Sequence, residues 1–209
     1  MQELTTIEEQ YVKNIYENIA DRFSSSRVYT WSWIDKFLEN LDKDSLIYDI
    51  GCGNGRNMIH SKHRFIGIDN CDKLINICKS KNLHVINSNI TNIPLESNSC
   101  DAIICIAVFH HLSNKINREK ALLEMKRLIK DGGTILLSVW SINQPKKTRR
   151  TFHKYGDNIV LWNNYGTIYE RYYYIFQIDE IKDLFKKAGL LLIGHEYDCG
   201  NEIFILSKV

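Results

Sequence analysis

The stretch LIYDIGCGNGRN, residues 46–57, places three glycines at alternate positions directly after a short apolar run. Glycine has no Cβ, so such a loop can turn tightly and let a ligand approach the backbone closely. Asp69 lies 18 residues after Gly51 and ends the next apolar run, RFIGID. An acidic residue at that place can accept hydrogen bonds from both ribose hydroxyls of a nucleoside. These residue types and this spacing predict a site for a nucleoside-containing ligand.

Two kinds of cofactor site use a glycine loop of this type. The dinucleotide fingerprint G-x-G-x-x-G requires its third glycine at position 56, which is Arg56 here. The observed order, D-x-G-x-G-x-G from Asp49, resembles the first motif of class I methyltransferases, whose loop faces the methionine and ribose parts of S-adenosylmethionine. The alternative is a glycine turn that serves packing alone. The surrounding order of strands, helices and acidic residue favours the S-adenosylmethionine site.

The third predicted strand ends at Asn89 and Ile90, where this class often carries an acidic residue. An amide oxygen at Asn89 can still face the adenine amino group of the cofactor. The resemblance to class I methyltransferases implies cofactor contacts for nine residues. They are Asp49, Gly51, Cys52, Gly53, Asn54, Asp69, Asn89, Ile90 and Ala107.

The elements that position these residues follow from the hydrophobic pattern. Helices are predicted at 6–22, 30–41, 72–80, 117–130 and 178–189, and one more follows the glycine loop. Strands are predicted at 46–50, 64–69, 83–88, 101–108 and 134–140, and two more strands end the chain. Strands that alternate with helices and are apolar nearly throughout are typical of a parallel sheet covered on both faces.

The last two strands are joined only by DCGN, which is too short for a parallel crossover, so they are predicted to be antiparallel. The predicted fold is α/β: a seven-stranded, mostly parallel, Rossmann-like sheet of the class I methyltransferase type with a C-terminal antiparallel hairpin. A single domain is expected over 1–209, with an N-terminal helical cap at about 1–42. Residues 141–176 are expected to form a substrate-recognition insertion, because this long segment is rich in aromatic residues.

The composition excludes several other classes of protein. Hydrophobic residues at 44% and charged residues at 25% fit a globular chain. No apolar run reaches the roughly 18 residues of a membrane span, and the polar start MQELTTIEEQ does not resemble a signal peptide. The six cysteines form no C-x-x-C pair, so we expect reduced thiols, a cytoplasmic location and no metal site.

A histidine pair follows the fourth predicted strand. The carboxyl ends of parallel strands border the ligand crevice in such sheets, so His110 and His111 are expected near the reacting methyl group. The alternative for either histidine is a structural hydrogen bond. Zinc binding is disfavoured because the sequence places no third ligand beside the pair.

Six segments resemble, in order, the family of wobble-uridine tRNA carboxymethyl methyltransferases. They are RVYTW at 27–31, DIGCGNG at 49–55, IAVFHH at 106–111, NREKALLEM at 117–125, SVWSINQ at 138–144 and ERYYYIF at 170–176. The resemblance covers nearly the whole chain. It implies methyl transfer from S-adenosylmethionine to the carboxylate of 5-carboxymethyluridine at tRNA position 34, giving the methyl ester. The chain departs from the family at Tyr174, where a histidine is usual, and at Thr30, where a proline is usual.

A carboxylate as methyl acceptor changes what catalysis requires. A carboxyl group has a pKa of about 4, so it is ionised at neutral pH and needs no general base. Catalysis then rests on in-line positioning and a desolvated approach. The candidates for holding the carboxylate are Arg27, whose forked donors match it, and His110 or His111. Arg27 could instead be a solvated loop charge or bind the cofactor's own carboxylate.

The insertion supplies the expected contact to the tRNA anticodon loop. Its basic run contains Lys146, Lys147, Arg149 and Arg150. Basic groups neutralise phosphates, and the neighbouring aromatic residues can stack on unpaired bases. The alternative is a solvated basic face. Two other functions stay open: a small-molecule methyltransferase, which predicts an apolar lid here, and a non-catalytic tRNA-binding subunit, which predicts a damaged cofactor loop.

The family resemblance also implies a protein partner. A small zinc-binding methyltransferase activator is expected to form a heterodimer with the chain by adding a strand to an exposed sheet edge. The third predicted strand, 83–88, lies at one edge in this topology and is the expected site. The alternative is an edge protected by its polar neighbours alone.

Overall fold

The computed structural model describes residues 6–60, 62–148 and 151–208. These residues form nine strands: β1 (Leu46–Ile50), β2 (Arg64–Asp69), β3 (Val85–Asn87), β4 (Cys100–Ile106), β5 (Ile129–Trp140), β6 (Gly156–Asn164), β7 (Thr167–Ile175), β8 (Leu190–Asp198) and β9 (Asn201–Lys208). Seven of the strands make one sheet in the order β3-β2-β1-β4-β5-β9-β8. β1 to β5 are parallel, and β9 runs antiparallel to β5 and β8. This topology confirms the predicted fold class and the C-terminal hairpin.

The helices cover both faces of this sheet. They are α1 (Thr6–Glu8), α2 (Asn14–Ser26), α3 (Ser32–Glu39), α4 (Asp72–Ser80), α5 (Lys115–Leu128) and α6 (Ile178–Lys187). A π-helical turn over Glu9–Lys13 joins α1 to α2. The side chains of β4 alternate between two cores, as the period of a strand requires. Ile103 and Cys105 pack in the core that includes α5 and α6, whereas Ile104 packs in the core that includes α3.

Two local predictions were wrong. The glycine loop does not lead into a full helix, because only eight residues separate Gly55 from Arg64 at the start of β2. There is room for a single 3-10 turn, Arg56–Ile59. The fifth strand begins five residues earlier than predicted, at Ile129, since Ile129 already pairs with Cys100 across a bulge in the β4–β5 ladder.

The insertion contains a separate two-stranded sheet formed by the antiparallel pair β6 and β7. Its inner side packs through Tyr173 and Ile175 against Trp140 at the end of β5. The hairpin is therefore anchored at the edge of the main sheet where the parallel strands end. None of the helices in the described part of the chain combines the length and the apolar character that a membrane crossing requires.

Candidate active site

A cavity of about 480 Å³ lies at the carboxyl ends of β1 to β4. The strand order reverses on either side of β1, and this switch point is where open α/β sheets bind ligands. The N-terminal helix forms one wall through Tyr16 and Phe23, and the β6–β7 hairpin forms another through Arg171 and Tyr173. The cavity therefore lies between the sheet and the two segments that the sequence identified as cap and insertion.

The glycine loop forms the floor of the cavity. Gly51 has a φ of +75°, and a Cβ added there would overlap the side chain of Val108. Gly53 has a φ of +57°, and a Cβ there would lie 3.2 Å from Phe23 Cε1. Both positions therefore require glycine for conformation and for space, and the bare backbone leaves room for a ligand.

Asp69 faces the cavity from the end of β2. The backbone N–H of Gly53 donates to its Oδ2 at 2.9 Å, and the backbone N–H of Cys71 donates to its Oδ1 at 2.9 Å. Burial raises the pKa of Asp69, which these backbone hydrogen bonds partly oppose. Each carboxylate oxygen has a further lone pair, so the group is held in place and can accept the hydroxyls of a ribose.

Asp49 lies beneath the glycine loop and is fully buried. Neither carboxylate oxygen has a hydrogen bond of normal geometry among the described residues. Burial raises the pKa of Asp49 to about 7, although the charge of Arg56 and the amide of Asn57 oppose the rise. A buried carboxylate in this state lacks a cation. Asp49 is not among the residues that line the cavity, so its contact with the cofactor stays a prediction. The glycine cradle and Asp69, which do line it, fit S-adenosylmethionine.

Four other candidates for cofactor binding differ in placement. Ile90 and Ala107 line the cavity. The side chain of Cys52 packs in an apolar cluster with Met58, behind the loop. The Asn54 amide nitrogen donates to the backbone oxygens of Ser24 (3.1 Å) and Arg27 (3.0 Å), which ties the N-terminal segment to the glycine loop. Cys52 and Asn54 therefore shape the loop from outside the cavity.

Asn89 also lines the cavity, but its amide oxygen is already occupied. It accepts from the backbone N–H of Thr91 at 3.0 Å and from the Thr91 hydroxyl at 2.9 Å. A carbonyl oxygen has two lone pairs. The expected contact from this oxygen to the adenine amino group is therefore not supported by the geometry.

Arg27 lines the cavity at the end next to the glycine loop. Its guanidinium carbon lies 5.6 Å from the centroid of the Phe23 ring, and Phe23 packs over Gly53. Arg56 lies nearby, and burial together with the charge of Arg27 lowers the pKa of Arg56 to about 10. This position is beside the glycine loop, where the cofactor is expected to bind.

The histidine pair is buried and lines the cavity. His110 Nδ1 accepts the backbone N–H of Trp140 at 3.0 Å. His111 Nδ1 lies 2.8 Å from the Tyr172 carbonyl, to which it must donate, and so its Nε2 accepts from the Tyr16 hydroxyl at 3.2 Å. Burial lowers the pKa of His111 to about 3, and the charge of Arg171 adds to the effect. His111 is therefore neutral, and both its ring nitrogens already have protein partners.

Arg171 is a cavity residue that the sequence analysis did not identify. It is only 7% exposed, and its Nε has no hydrogen-bond partner among the described residues. Its guanidinium carbon lies 4.9 Å from the Trp162 ring centroid and 5.3 Å from that of Tyr173. Although burial opposes its charge, the phenols of Tyr173 and Tyr16 raise the pKa of Arg171 overall. The ion pairs in the described part of the chain do not include it.

The ERYYYIF segment contained a signal for this arrangement. In a strand, alternate side chains point to opposite faces, so Arg171 and Tyr173 share the cavity face whereas Tyr172 and Tyr174 point away from it. The Tyr174 hydroxyl donates to Glu180 at 2.6 Å, and its ring stacks on the Arg118 guanidinium at 3.4 Å. The departure from the family's histidine at this position therefore concerns packing outside the cavity.

The basic run of the insertion is only partly described. Lys146 is exposed and begins a 3-10 turn, Lys146–Thr148. Arg149 and Arg150 lie outside the described residues, as does the side chain of Lys147. The tRNA contacts expected for these four residues stay predictions.

The fold, the glycine cradle and the acidic residues define a class I S-adenosylmethionine-dependent methyltransferase. The family model of the methyltransferase domain matches residues 48–137. A solved S-adenosylmethionine-dependent methyltransferase from Methanosarcina mazei aligns over 83% of this chain and 97% of its own, with a TM-score of 0.70 and 16% identity. A chain in the complex between the Haloferax volcanii Trm112 methyltransferase activator and a methyltransferase aligns over 94% of this chain and 96% of its own, with a TM-score of 0.69 and 15% identity.

A closer relationship is found among curated proteins. The tRNA (carboxymethyluridine(34)-5-O)-methyltransferase of Schizosaccharomyces pombe is 34% identical to this chain, over 96% of this chain and 97% of its own length. The chain belongs to this family of tRNA carboxymethyluridine methyltransferases.

Proposed function

We propose that the protein transfers a methyl group from S-adenosylmethionine to the carboxylate of 5-carboxymethyluridine at position 34 of tRNA, giving the methyl ester. Family membership supports the substrate class. The observation that carries the proposal is Arg171, a buried guanidinium in the cavity wall that forms no ion pair within the described residues. A buried charge is costly unless it is paired, and a substrate carboxylate supplies the missing anion.

The residues divide into a cofactor end and an acceptor end. When bound, S-adenosylmethionine supplies a methyl group on a positively charged sulfur. At the cofactor end, Asp69 would accept the ribose hydroxyls and Asp49, buried beneath the glycine loop, would pair with the ammonium group. Arg27 would bind the cofactor's carboxylate, a role supported by its position beside the glycine loop.

At the acceptor end, Arg171 orients the substrate carboxylate, and no residue has to remove a proton because that group is already ionised. The ring of Trp140 is stacked on Tyr173 with centroids 4.1 Å apart, and both rings line the cavity. These two aromatic rings exclude water from the substrate carboxylate, which favours the attack of that carboxylate on the methyl carbon. We assign His110 and His111 positioning roles, since His110 fixes Trp140 and His111 fixes Tyr16 and the hairpin backbone.

The test is mass analysis of tRNA nucleosides after incubation with S-adenosylmethionine, with and without a methyltransferase activator. We expect the methyl ester of 5-carboxymethyluridine to form. Arg171→Gln should lower kcat/KM for tRNA by about 30-fold or more and leave the Kd for S-adenosylmethionine unchanged. Arg27→Gln is the matched control and should weaken cofactor binding. Absence of the ester in both wild-type samples would refute the function, and the reversed pattern for the two arginines would refute their assignment.

Two other functions were left open by the sequence. A small-molecule methyltransferase would not need a basic run in its insertion, and family membership favours a tRNA substrate. A non-catalytic tRNA-binding subunit would not need an open glycine cradle, yet Gly51 and Gly53 keep it clear and Asp69 faces it.

For the tRNA surface we propose phosphate contacts by Lys146, Lys147, Arg149 and Arg150. Their replacement by alanine should weaken tRNA binding and reduce the slope of log Kd against log salt concentration by up to about 3 to 4, because each phosphate contact contributes about 0.7 to 0.9. Equal slopes in the wild type and the variant would assign the tRNA contact to another surface.

We further propose a heterodimer with a small zinc-binding methyltransferase activator, which adds a strand to the edge at β3. The position of β3 at the end of the sheet supports this site. The structural likeness to a chain from a complex with a methyltransferase activator supports the kind of partner. In the parallel β2–β3 ladder Val85 lies opposite Gly67, and the N–H of Gly67 donates to the carbonyl of His84. The N–H of Val85 therefore points away from β2, to the open edge.

Val85→Pro removes that outward N–H without breaking the ladder to β2, and Val85→Thr keeps it. Loss of co-purification with the activator in the proline variant alone supports the site, and retention in both variants excludes it.

A cytoplasmic location completes the proposal: all six cysteines are free thiols. Imaging of the tagged chain tests it.

A further inference from the structure

The tip of the β6–β7 hairpin carries a conformational outlier. The two-residue turn is Tyr165-Gly166, with φ values of +52° and +95°. Positive φ at both central residues defines a type I′ turn, whose first position favours Asn, Asp or Gly. A bulky residue with positive φ is strained. Residues with strained backbone conformations cluster at functional sites, so the surroundings of the Tyr165 ring decide whether it has a role beyond the turn.

The same ring is presented to solvent on a cationic support. Tyr165 is 86% exposed. The guanidinium carbon of Arg22, on α2, lies 4.3 Å from its ring centroid. Arg22 is itself fixed, because its Nη1 donates to the Asn163 carbonyl at 2.7 Å. An open aromatic face next to an arginine is the chemistry with which proteins stack unpaired bases and contact their phosphates.

The tip lies next to the cavity wall. Trp162, three residues before Tyr165, has its ring centroid 6.4 Å from that of Phe23, which lines the cavity. At a rise of about 3.3 Å per residue, Tyr165 is about 10 Å along the strand from Trp162. A nucleotide adjoining one bound in the cavity can reach that distance.

We propose that Tyr165 stacks on the unpaired tRNA base next to the methylated uridine, with Arg22 supporting the ring and facing the adjoining phosphate. This inference rests on the proposed function, because it takes its ligand to be the anticodon loop. It adds a base-recognition site outside the catalytic cavity, formed jointly by the hairpin and the N-terminal helix.

Tyr165→Asn tests the site in a variant that should fold better than the wild type, since asparagine suits the turn. We expect its Tm to rise by about 2 °C while kcat/KM for tRNA falls by about 5- to 150-fold, which is the usual effect of losing one stacked base. The Kd for S-adenosylmethionine should not change. Tyr165→Phe should keep wild-type kcat/KM. Ile168→Thr, on the exposed outer face of the same hairpin, is the matched control and should also keep it.

A fluorescence measurement separates this inference from the proposed function. An anticodon stem-loop with 2-aminopurine beside position 34 should lose fluorescence on binding the wild type and lose much less on binding Tyr165→Asn. If the wild type forms no methyl ester, the proposed function fails, and the fluorescence difference still decides whether Tyr165 stacks on a base. Equal quenching by both proteins, or wild-type kcat/KM in Tyr165→Asn, would overturn the inference.

Discussion

Asp49→Asn should abolish a pH-dependent loss of stability that the buried carboxylate causes in the cofactor-free protein. Burial raises the pKa of Asp49 from an ordinary value near 4 to about 7 in the folded chain. The folded state therefore favours the protonated carboxyl, and stability that is fully present below about pH 4 is lost as the pH rises through 7. One pKa unit corresponds to about 1.4 kcal/mol, so the loss amounts to about 4 kcal/mol between pH 4 and pH 8.

Urea unfolding of both proteins across pH 4 to 8 measures this effect, because the difference between them cancels the other titrating groups. The variant should gain stability relative to the wild type by about 4 kcal/mol over this range, equivalent to about 8 to 16 °C in Tm. Asp101→Asn is the control with the opposite sign. Partial burial tends to raise the pKa of Asp101, but the hydrogen bond from Lys130 lowers this pKa overall. Asp101→Asn should therefore be less stable than the wild type at neutral pH, and this difference in stability should shrink as the pH falls.

The cofactor should reverse the pattern. We expect the cofactor's ammonium group to pair with ionised Asp49 in the wild type, so binding should strengthen as the pH rises through 7. In Asp49→Asn the Kd for S-adenosylmethionine should be about 10- to 100-fold weaker and lack this pH dependence. A stability difference that is flat from pH 4 to 8 would refute the burial argument. Unchanged cofactor affinity in the variant would refute the pairing.

Three further substitutions test the cavity and the packing around it. Gly51→Ala should weaken cofactor binding at least tenfold by calorimetry, because the methyl group meets Val108 and the φ is positive; wild-type affinity would contradict the cradle. Ala107→Gly should raise the Tm by about 2 to 4 °C, since Ala107 has a φ of +58° and relief of that strain is worth about 1 kcal/mol; an unchanged Tm would show that the position is not strained. Tyr174→Phe should lower stability by about 1 kcal/mol through loss of the Glu180 hydrogen bond and leave tRNA methylation unchanged; reduced methylation would place Tyr174 in the active site.

The sequence predicted the parts of this molecule that local signals define. The sheet order follows from apolar strands that alternate with helices, and the short DCGN connection is enough to fix the antiparallel end. Gly51 and Asp69 line the cavity because a strand, a turn and the next strand place them there. Cys52 and Asn54 share the same loop, but the positive φ values of the glycines turn their side chains away, a detail that residue spacing alone does not contain.

The hairpin shows what local signals cannot supply. Its strands lack clean hydrophobic alternation because the outer face carries exposed Ile159, Leu161 and Ile168, while the inner face carries a buried charge, Arg171. Arg171 lies about 120 residues after the glycine loop in the sequence, and it reaches the cavity only because Tyr173 packs against Trp140. The position of a buried charge thus depends on tertiary packing, whereas the basic run at 146–150 is visible in the sequence and led to the prediction of nucleic-acid contact.

We propose different roles for Arg171 and Arg27, and this division has a consequence for the reaction. The cofactor and the acceptor each carry a carboxylate, and only the acceptor's must stay reactive. Two cations around that oxygen would stabilise the anion and reduce its nucleophilicity, so the acceptor end should hold one. Burial keeps the pKa of His111 at about 3, and its two ring nitrogens bond to Tyr16 and Tyr172. In the arrangement that we propose, neutral His111 therefore adds no second charge beside Arg171 at the acceptor end, and Arg27 serves the cofactor end.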